Sequence, residues 1–172
     1  GAAITLELFT AGGCILPTLP PRARRKALRA LAAAKIAVRF EARVAAVEDG
    51  PTLRLATGEA FPAALVLWAT QAAPPAWLAS SGLALDQAGF LAVGATLQSL
   101  SHPEVFAAGD VAALTHAPRP KSGVYAVRAG PVLTKNLHAF VAGKALRPFK
   151  PQRRALYLLN LADGRSLAAH PW

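Results

Sequence analysis

The sequence predicts an α/β fold with a parallel sheet, and three observations support that prediction. Residues 4–9 and 36–40 are apolar and rich in β-branched or aromatic side chains, and a helical pattern over 21–34 separates them. A strand, a helix and a second strand in this order imply two parallel strands joined by a right-handed crossover. Residues 105–111 form an apolar run that contains a glycine and then an aspartate, as in a buried strand whose carboxyl end meets a ligand. A long helix is predicted after this run, over 124–141.

Composition limits the class of protein. The 172 residues are 53% hydrophobic, which allows a sizeable core and argues against wholesale disorder. No apolar run approaches the roughly 20 residues of a membrane span, and the first residues lack the pattern of a signal peptide. The formal charge of +10 favours anionic partners but does not choose among nucleotides, phosphate, nucleic acid and acidic membranes. A single cysteine excludes an internal disulfide, so we expect a cytoplasmic protein.

The helix over 21–34 is predicted to have one apolar face and one basic face. Pro21 suits its first turn, and Ala27, Leu28 and Leu31 form the apolar stripe. Three arginines at helical spacing suit either a solvated surface or a phosphate-binding face. They are Arg22, Arg25 and Arg29. The single Cys14, in the loop before this helix, has no neighbouring His or Cys in sequence to activate it, and the histidines show no metal-ligand spacing.

A small meander is predicted after the second strand. Residues 43–48 and 52–56 are short strands separated by a Gly-Pro turn, and a Thr-Gly turn follows them. Residues 63–69 are uniformly apolar and predict a buried strand. The composition of 72–75 is that of a linker, so we expect a domain boundary there.

The second region is predicted to open with a helical turn over 77–82 and a hairpin that turns at 87–89. Its long helix contains Pro131, which is expected to kink it, and Gly143 is placed to cap it. The chain ends in an apolar strand over 156–161 and a partner strand over 165–169, joined by an Asp-Gly turn.

Two places in the second region have chemistry that suits a ligand. Gly109 allows close approach of backbone to a ligand, and Asp110 can accept hydrogen bonds from sugar or polyol hydroxyls. The start of the long helix offers Lys121 and three free backbone N–H groups, which suit an electron-rich ligand edge. These are the N–H groups of Gly123, Val124 and Tyr125. The alternatives are an ordinary strand followed by a turn, and a structural helix cap beside an exposed lysine.

The run over 105–111 resembles the second FAD-binding motif of the flavoproteins with two dinucleotide-binding domains, the pyridine nucleotide-disulfide oxidoreductase superfamily. Ala107, Gly109 and Asp110 fit its Ala-x-Gly-Asp pattern, and the likeness extends back to Gly89. The resemblance implies a Rossmann-like FAD/NAD(P)-binding fold, with cofactors FAD and NAD(P)H. It assigns Ala108, Gly109 and Asp110 to the ribityl side of FAD, and Lys121, Gly123, Val124 and Tyr125 to the isoalloxazine ring.

The same resemblance implies two partial domains. Residues 1–75 correspond to part of the NAD(P)-binding domain, and residues 76–172 to part of the FAD-binding domain with a C-terminal hairpin packed on it. Three positions depart from the family: Gln71 and Gly94 replace a glycine and an acid, and Glu7 is the only acid near the end of the first strand. The chain contains no Gly-x-Gly-x-x-Gly turn. We therefore expect a C-terminal half that alone binds neither dinucleotide well.

The segment over 151–165 is similar to the oxidoreductase region fused to selenophosphate synthetase (selenide, water dikinase). The resemblance implies part of an FAD-dependent oxidoreductase that passes electrons from NAD(P)H through flavin to a small-molecule or quinone-like acceptor. A selenophosphate synthetase domain is an implied partner, and no side chain is assigned a catalytic role because the cofactor supplies the chemistry. The alternatives are a non-catalytic remnant that acts as an interaction module and, on charge alone, a nucleic-acid-binding protein.

Overall fold

The computed structural model describes residues 4–50, 52–161 and 163–169. The chain divides into two compact units. Unit 1 contains the chain up to Trp68 and returns from Arg154 onwards, and unit 2 is Ala69–Arg153.

Unit 1 begins with the predicted strand, helix and strand. These are β1 (Leu6–Phe9), α1 (Pro21–Ala33) and β2 (Ile36–Arg39). The two strands pair in parallel, with Leu6 opposite Ile36. The predicted element order and parallel pairing are confirmed, and the predicted ends differ from the observed ones by at most two residues. Parallel pairing brings the carboxyl ends of β1 and β2 to the same edge of the sheet.

The predicted meander is present, but its third strand lies elsewhere. It consists of β3 (Val44–Glu48), β4 (Thr52–Leu55) and β5 (Ala60–Pro62), paired antiparallel in sequence order. The strand predicted over 63–69 is wrong, since these residues have no strand structure and Leu65 and Leu67 are 74% and 79% exposed. Apolar composition does not specify a strand without a hydrogen-bonding neighbour, and the described structure places none beside this stretch.

Unit 2 is built around β6 (Leu91–Val93) and β7 (Ala112–Leu114), which pair in parallel. A 3₁₀ turn, Ala76–Ser80, precedes them and buries Leu78. The predicted hairpin turn is present, because the Asp86 carboxylate accepts hydrogen bonds from the N–H groups of Ala88 and Phe90.

The strand predicted over 105–111 does not form. Phe106 makes a single antiparallel bridge with Gln98, and Gly109–Val111 is a 3₁₀ turn. The segment is nevertheless held in place, since the Ala107 N–H donates to Leu97 O at 3.0 Å and Ala107 is buried. The apolar pattern therefore located a core segment correctly and assigned it the wrong local structure.

The long helix is confirmed as α2 (Gly123–Val141), which remains continuous through Pro131. Asn136 on this helix is 1% exposed and fully hydrogen-bonded. Its Nδ2 donates to the carbonyls of Thr96 and Arg147 at 2.8 Å, and its Oδ1 accepts the Arg147 N–H at 2.8 Å. One side chain thus joins the helix to two loops of unit 2.

The C-terminal hairpin is confirmed as β8 (Tyr157–Asn160) and β9 (Ser166–Ala169), paired antiparallel. The expectation that it packs on the second region is wrong. Leu167 and Ala169 of β9 join Ala23 and Ala27 of α1 in the core of unit 1. The alternation of buried and exposed residues in β9 gives it one apolar face, and α1 offers an alanine-lined face that accepts it closely.

Candidate functional site

A small groove of unit 2 begins at the 3₁₀ turn before β7. Gly109 has a φ of +75°, a left-handed conformation that side chains disfavour. A side-chain Cβ at this position would lie 3.5 Å from the Cβ of Ala126. Asp110 follows in the turn, is exposed, and makes no hydrogen bond or ion pair with the described residues. The turn therefore presents a bare backbone and a free carboxylate side by side.

The groove gathers five of the seven residues that the resemblance assigned to FAD. Gly123 and Val124 are in the first turn of α2 but do not line it. Most of the assigned set, which is distant in sequence, is brought together by the packing of α2 against the 3₁₀ turn. The five lining residues are Ala108, Gly109, Asp110, Lys121 and Tyr125.

Lys121 is held in place by two interactions. Its Nζ donates to the Ala112 carbonyl at 2.7 Å and lies 3.8 Å from the centroid of the Phe90 ring. Burial lowers the pKa of the Lys121 ammonium, and the charges of Asp86 and Asp110 act in the opposite direction. An ammonium has three donors, so this anchoring leaves hydrogen-bonding capacity for a ligand in the groove.

The first turn of α2 lies beside the groove with its positive end uncapped by a side chain. Ser122 is its N-cap residue, its hydroxyl makes no capping hydrogen bond, and the first turn contains no acid. The Tyr125 N–H donates to the Ser122 carbonyl at 3.0 Å, so it is not the free donor that the sequence suggested. The N–H groups of Gly123 and Val124 have no acceptor within the helix by its geometry.

Sequence reasoning missed several groove residues, and Arg119 is the most informative. Its Nε donates to the Gln152 carbonyl at 3.0 Å, and its guanidinium also reaches the Pro151 carbonyl. Arg119 thus ties the loop before α2 to the segment after it. A contact across 33 residues leaves no local signal in the sequence. The position of Arg119 between two prolines is unusual and is the one feature that could have drawn attention to it. The other missed lining residues are Leu97, Ala112, Leu114, Pro120, Ser122, Ala126, Ala129 and Phe149.

The departures from the family pattern have simple structural roles. Glu7 of β1 accepts a hydrogen bond from Arg39 of β2, which lowers the pKa of the Glu7 carboxyl. The Arg39 guanidinium also lies 4.6 Å from the Phe61 ring centroid, so Glu7 and Arg39 both have interaction partners within unit 1. Gly94 donates its N–H to Gln98 O in a tight turn, and Gln71 is exposed.

No helix among the described residues is long and apolar enough to cross a membrane. Residues 4–130 match the family described as "Pyridine nucleotide-disulphide oxidoreductase". Solved structures, among them three bacterial proteins, share the fold.

The first is an FAD-dependent pyridine nucleotide-disulphide oxidoreductase from Desulfovibrio vulgaris, with a TM-score of 0.71 and 23% identity over 91% of this chain. The second is the reduced CoADR-RHD of Bacillus anthracis, with a TM-score of 0.70 and 20% identity over 92% of the chain. The third is the ferredoxin reductase for the CYP199A2 system of Rhodopseudomonas palustris, with a TM-score of 0.64 and 18% identity over 89%. The chain spans only 40%, 28% and 39% of these structures respectively.

Proposed function

We propose a function from one established premise: the chain belongs to the pyridine nucleotide-disulphide oxidoreductase family. It is part of an FAD-dependent oxidoreductase that takes electrons from NAD(P)H and passes them through flavin to a small-molecule or quinone-like acceptor. The groove of unit 2 is the flavin-facing part of that enzyme. A free carboxylate, an anchored ammonium and an uncapped helix start around one groove are the observation that carries the proposal.

The described residues fit a flavin in this groove. The conformation of Gly109 leaves the backbone bare where the ribityl chain would approach. Asp110 has no protein partner among the described residues, so its carboxylate is available to hydroxyl donors. Bound FAD would supply the chemistry of the reaction, which is acceptance of a hydride from the nicotinamide and transfer of its two electrons to the acceptor.

The protein's own contribution is positioning and electrostatics. Asp110 orients the polyol chain through charge-assisted hydrogen bonds, which are stronger than neutral ones. Lys121 and the N–H groups at the start of α2 place positive charge beside the groove, which favours an electron-rich ligand edge. The Ala112 carbonyl and the Phe90 ring restrict the Lys121 ammonium, so little rearrangement is needed when a ligand binds.

The remaining assignments belong to the same proposal. Unit 1 contributes to NAD(P)H binding and contains the C-terminal hairpin, and unit 2 contributes to FAD binding. The likeness of residues 151–165 to the region fused to selenophosphate synthetase supports a partner domain of that class. The single Cys14 supports a cytoplasmic location.

A non-catalytic module is the second candidate, and specific residues favour it. Gly94 and Gln71 stand where the family commonly has an acid and a glycine, and the Glu7 carboxylate is already hydrogen-bonded to Arg39. A remnant of this kind would keep the fold and lose the groove's affinity for flavin. Flavin binding therefore separates the two candidates.

Riboflavin is the probe that tests the proposal, because it contains the ribityl chain and the ring but no pyrophosphate. Quenching of its fluorescence by the 172-residue chain gives an affinity that does not depend on a Gly-x-Gly-x-x-Gly turn. Asp110→Asn removes a charged acceptor of hydrogen bonds worth about 1.5–3 kcal/mol. Affinity for riboflavin should fall about 10- to 100-fold.

Glu104→Gln is the matched control, since Glu104 is an exposed acid of the same unit outside the groove. It should bind riboflavin as the parent chain does. Absence of riboflavin binding by the folded parent chain would favour the non-catalytic candidate. Equal affinity of the parent and Asp110→Asn would remove Asp110 from the site.

A further inference from the structure

The side of α2 that points away from the core of unit 2 is largely apolar. The helix buries Tyr125, Ala129 and Asn136, and a rotation of roughly 100° per residue puts a line of other residues on the opposite side. We call this line the outward face, and it consists of Val127, Gly130, Thr134, Leu137 and Val141. Val127, Leu137 and Val141 are 76%, 43% and 88% exposed. Exposed apolar side chains that share one face mark an interaction surface.

Basic side chains border the outward face. Arg128 and Lys135 each come one residue after a member of the face, so they form a second line along the helix beside it. Lys144 and Arg147 follow shortly after the C-terminal end of α2, and all four basic residues are exposed. Within the part of the chain that the structure describes, none of the four side chains forms an ion pair or a hydrogen bond.

The sequence around this surface contains no acid to neutralise it. Between Asp110 and Asp163 the chain has nine lysines and arginines and neither Asp nor Glu. Arg119 and Lys121 are held by backbone carbonyls beside the groove. The other basic residues have no carboxylate within this stretch of sequence, so the outward side of unit 2 has a positive potential.

A partner of this surface must offer both negative charge and an apolar layer. A second copy of the chain would bring like charges together, since the net charge is +10. The phosphates of a nucleic acid suit the basic residues but give Val127 and Val141 no apolar contact. An anionic membrane presents head groups above an acyl region, and a helix whose apolar face is bordered by Lys and Arg lies at that boundary.

We propose that α2 docks on an anionic lipid surface, with its outward face at the acyl boundary and the four basic residues among the lipid phosphates. The inference goes beyond the proposed function and does not depend on a bound flavin. Apolar side chains leave water in this contact, and each lysine or arginine near an anionic surface adds attraction.

The test is co-sedimentation of the 172-residue chain with vesicles of phosphatidylglycerol and phosphatidylcholine in equal amounts, and with vesicles of phosphatidylcholine alone. We expect binding to the anionic vesicles to be at least about tenfold tighter. Val141→Glu should weaken it at least about tenfold, and Lys135→Glu at least about fivefold. Far-UV circular dichroism verifies that each variant is folded.

Two variants of unit 1 are the matched controls, because they make the same chemical changes at exposed positions outside α2. Leu65→Glu matches Val141→Glu, and Lys35→Glu matches Lys135→Glu. Both should bind the anionic vesicles nearly as the parent chain does. Losses as large as those of the α2 variants would show a general effect of net charge and would overturn the inference.

The inference would also be wrong if the folded parent chain bound neither kind of vesicle or bound both equally. A dimer that Val141→Glu dissociates, without vesicle binding, would assign the outward face to a second copy. Tighter binding to a single-stranded oligonucleotide, weakened by Lys135→Glu and not by Val141→Glu, would assign the surface to nucleic acid. Riboflavin binding measured without vesicles distinguishes the two proposals, since a chain that binds riboflavin and no vesicles contradicts the membrane inference alone.

Discussion

Gly109 is the residue on which the geometry of the groove of unit 2 depends most directly. Its φ of +75° places it where an L side chain meets its own backbone, at a cost of about 1–2 kcal/mol. A Cβ at this position would lie 3.5 Å from Ala126, which is ordinary contact and adds no clash. Gly109→Ala should therefore lower the free energy of unfolding by about 1–2 kcal/mol through backbone strain alone.

Gly123→Ala is the matched control, because it makes the same chemical change at a residue of α2 whose φ is not left-handed and around which a Cβ has open space. It should raise the free energy of unfolding by about 0.4–1 kcal/mol, because alanine has fewer unfolded conformations to lose than glycine. Urea unfolding followed by far-UV circular dichroism should give opposite signs for the two variants, separated by about 1.5–3 kcal/mol. A Gly109→Ala variant that unfolds at the same urea concentration as the parent would refute the left-handed turn beside Asp110.

Three further predictions concern the framework of the two units. Asn136→Leu should lower the free energy of unfolding by about 2–4 kcal/mol in urea titrations, because it leaves buried backbone groups unpaired. Lys135→Ala should change it little. Equal values for the two variants would contradict the role of the Asn136 hydrogen bonds in holding the two loops. Leu78→Ala should lower the free energy of unfolding by about 2–5 kcal/mol in the same assay, because Leu78 is buried. Trp77→Ala, at an exposed position, should lower it much less. A reversed order would contradict the burial of Leu78. The pKa of Glu7 is lowered by its arginine partner, so its contribution to stability is present above the ordinary carboxyl pKa and is lost as the pH falls through the lowered value. Unfolding of Glu7→Gln should therefore depend less on acid pH than that of the parent, and parallel pH profiles would show that this pair contributes nothing.

Local patterns predicted the regular elements well. Pro21 and the apolar stripe of Ala27, Leu28 and Leu31 marked α1, and the Asp163-Gly164 turn marked the C-terminal hairpin within a residue or two. These features depend on residues close together in sequence, where helix and turn preferences act. The family was predicted correctly for a similar reason, since its motif around Gly109 is contiguous.

Features that depend on distant contacts were not predictable. Residues 63–69 have the composition of a buried strand and lack a neighbouring strand in the described structure. The hairpin was assigned to the wrong part of the chain because its apolar face gives no indication of which surface receives it. Arg119 lines the groove of unit 2 only because it binds carbonyls 32 and 33 residues away.

The most direct test of the account is to locate riboflavin on the chain by two-dimensional ¹H–¹⁵N NMR. If the groove of unit 2 holds flavin, saturating riboflavin should shift the amide signals of Gly109–Val111 and of the first residues of α2, and leave those of β3–β5 unchanged. Asp110→Asn should reduce these shifts at the same riboflavin concentration. Signal shifts confined to unit 1 would contradict the assignment of the groove to flavin. The same conclusion would follow if no signals shifted at protein and riboflavin concentrations at which the fluorescence of riboflavin is quenched.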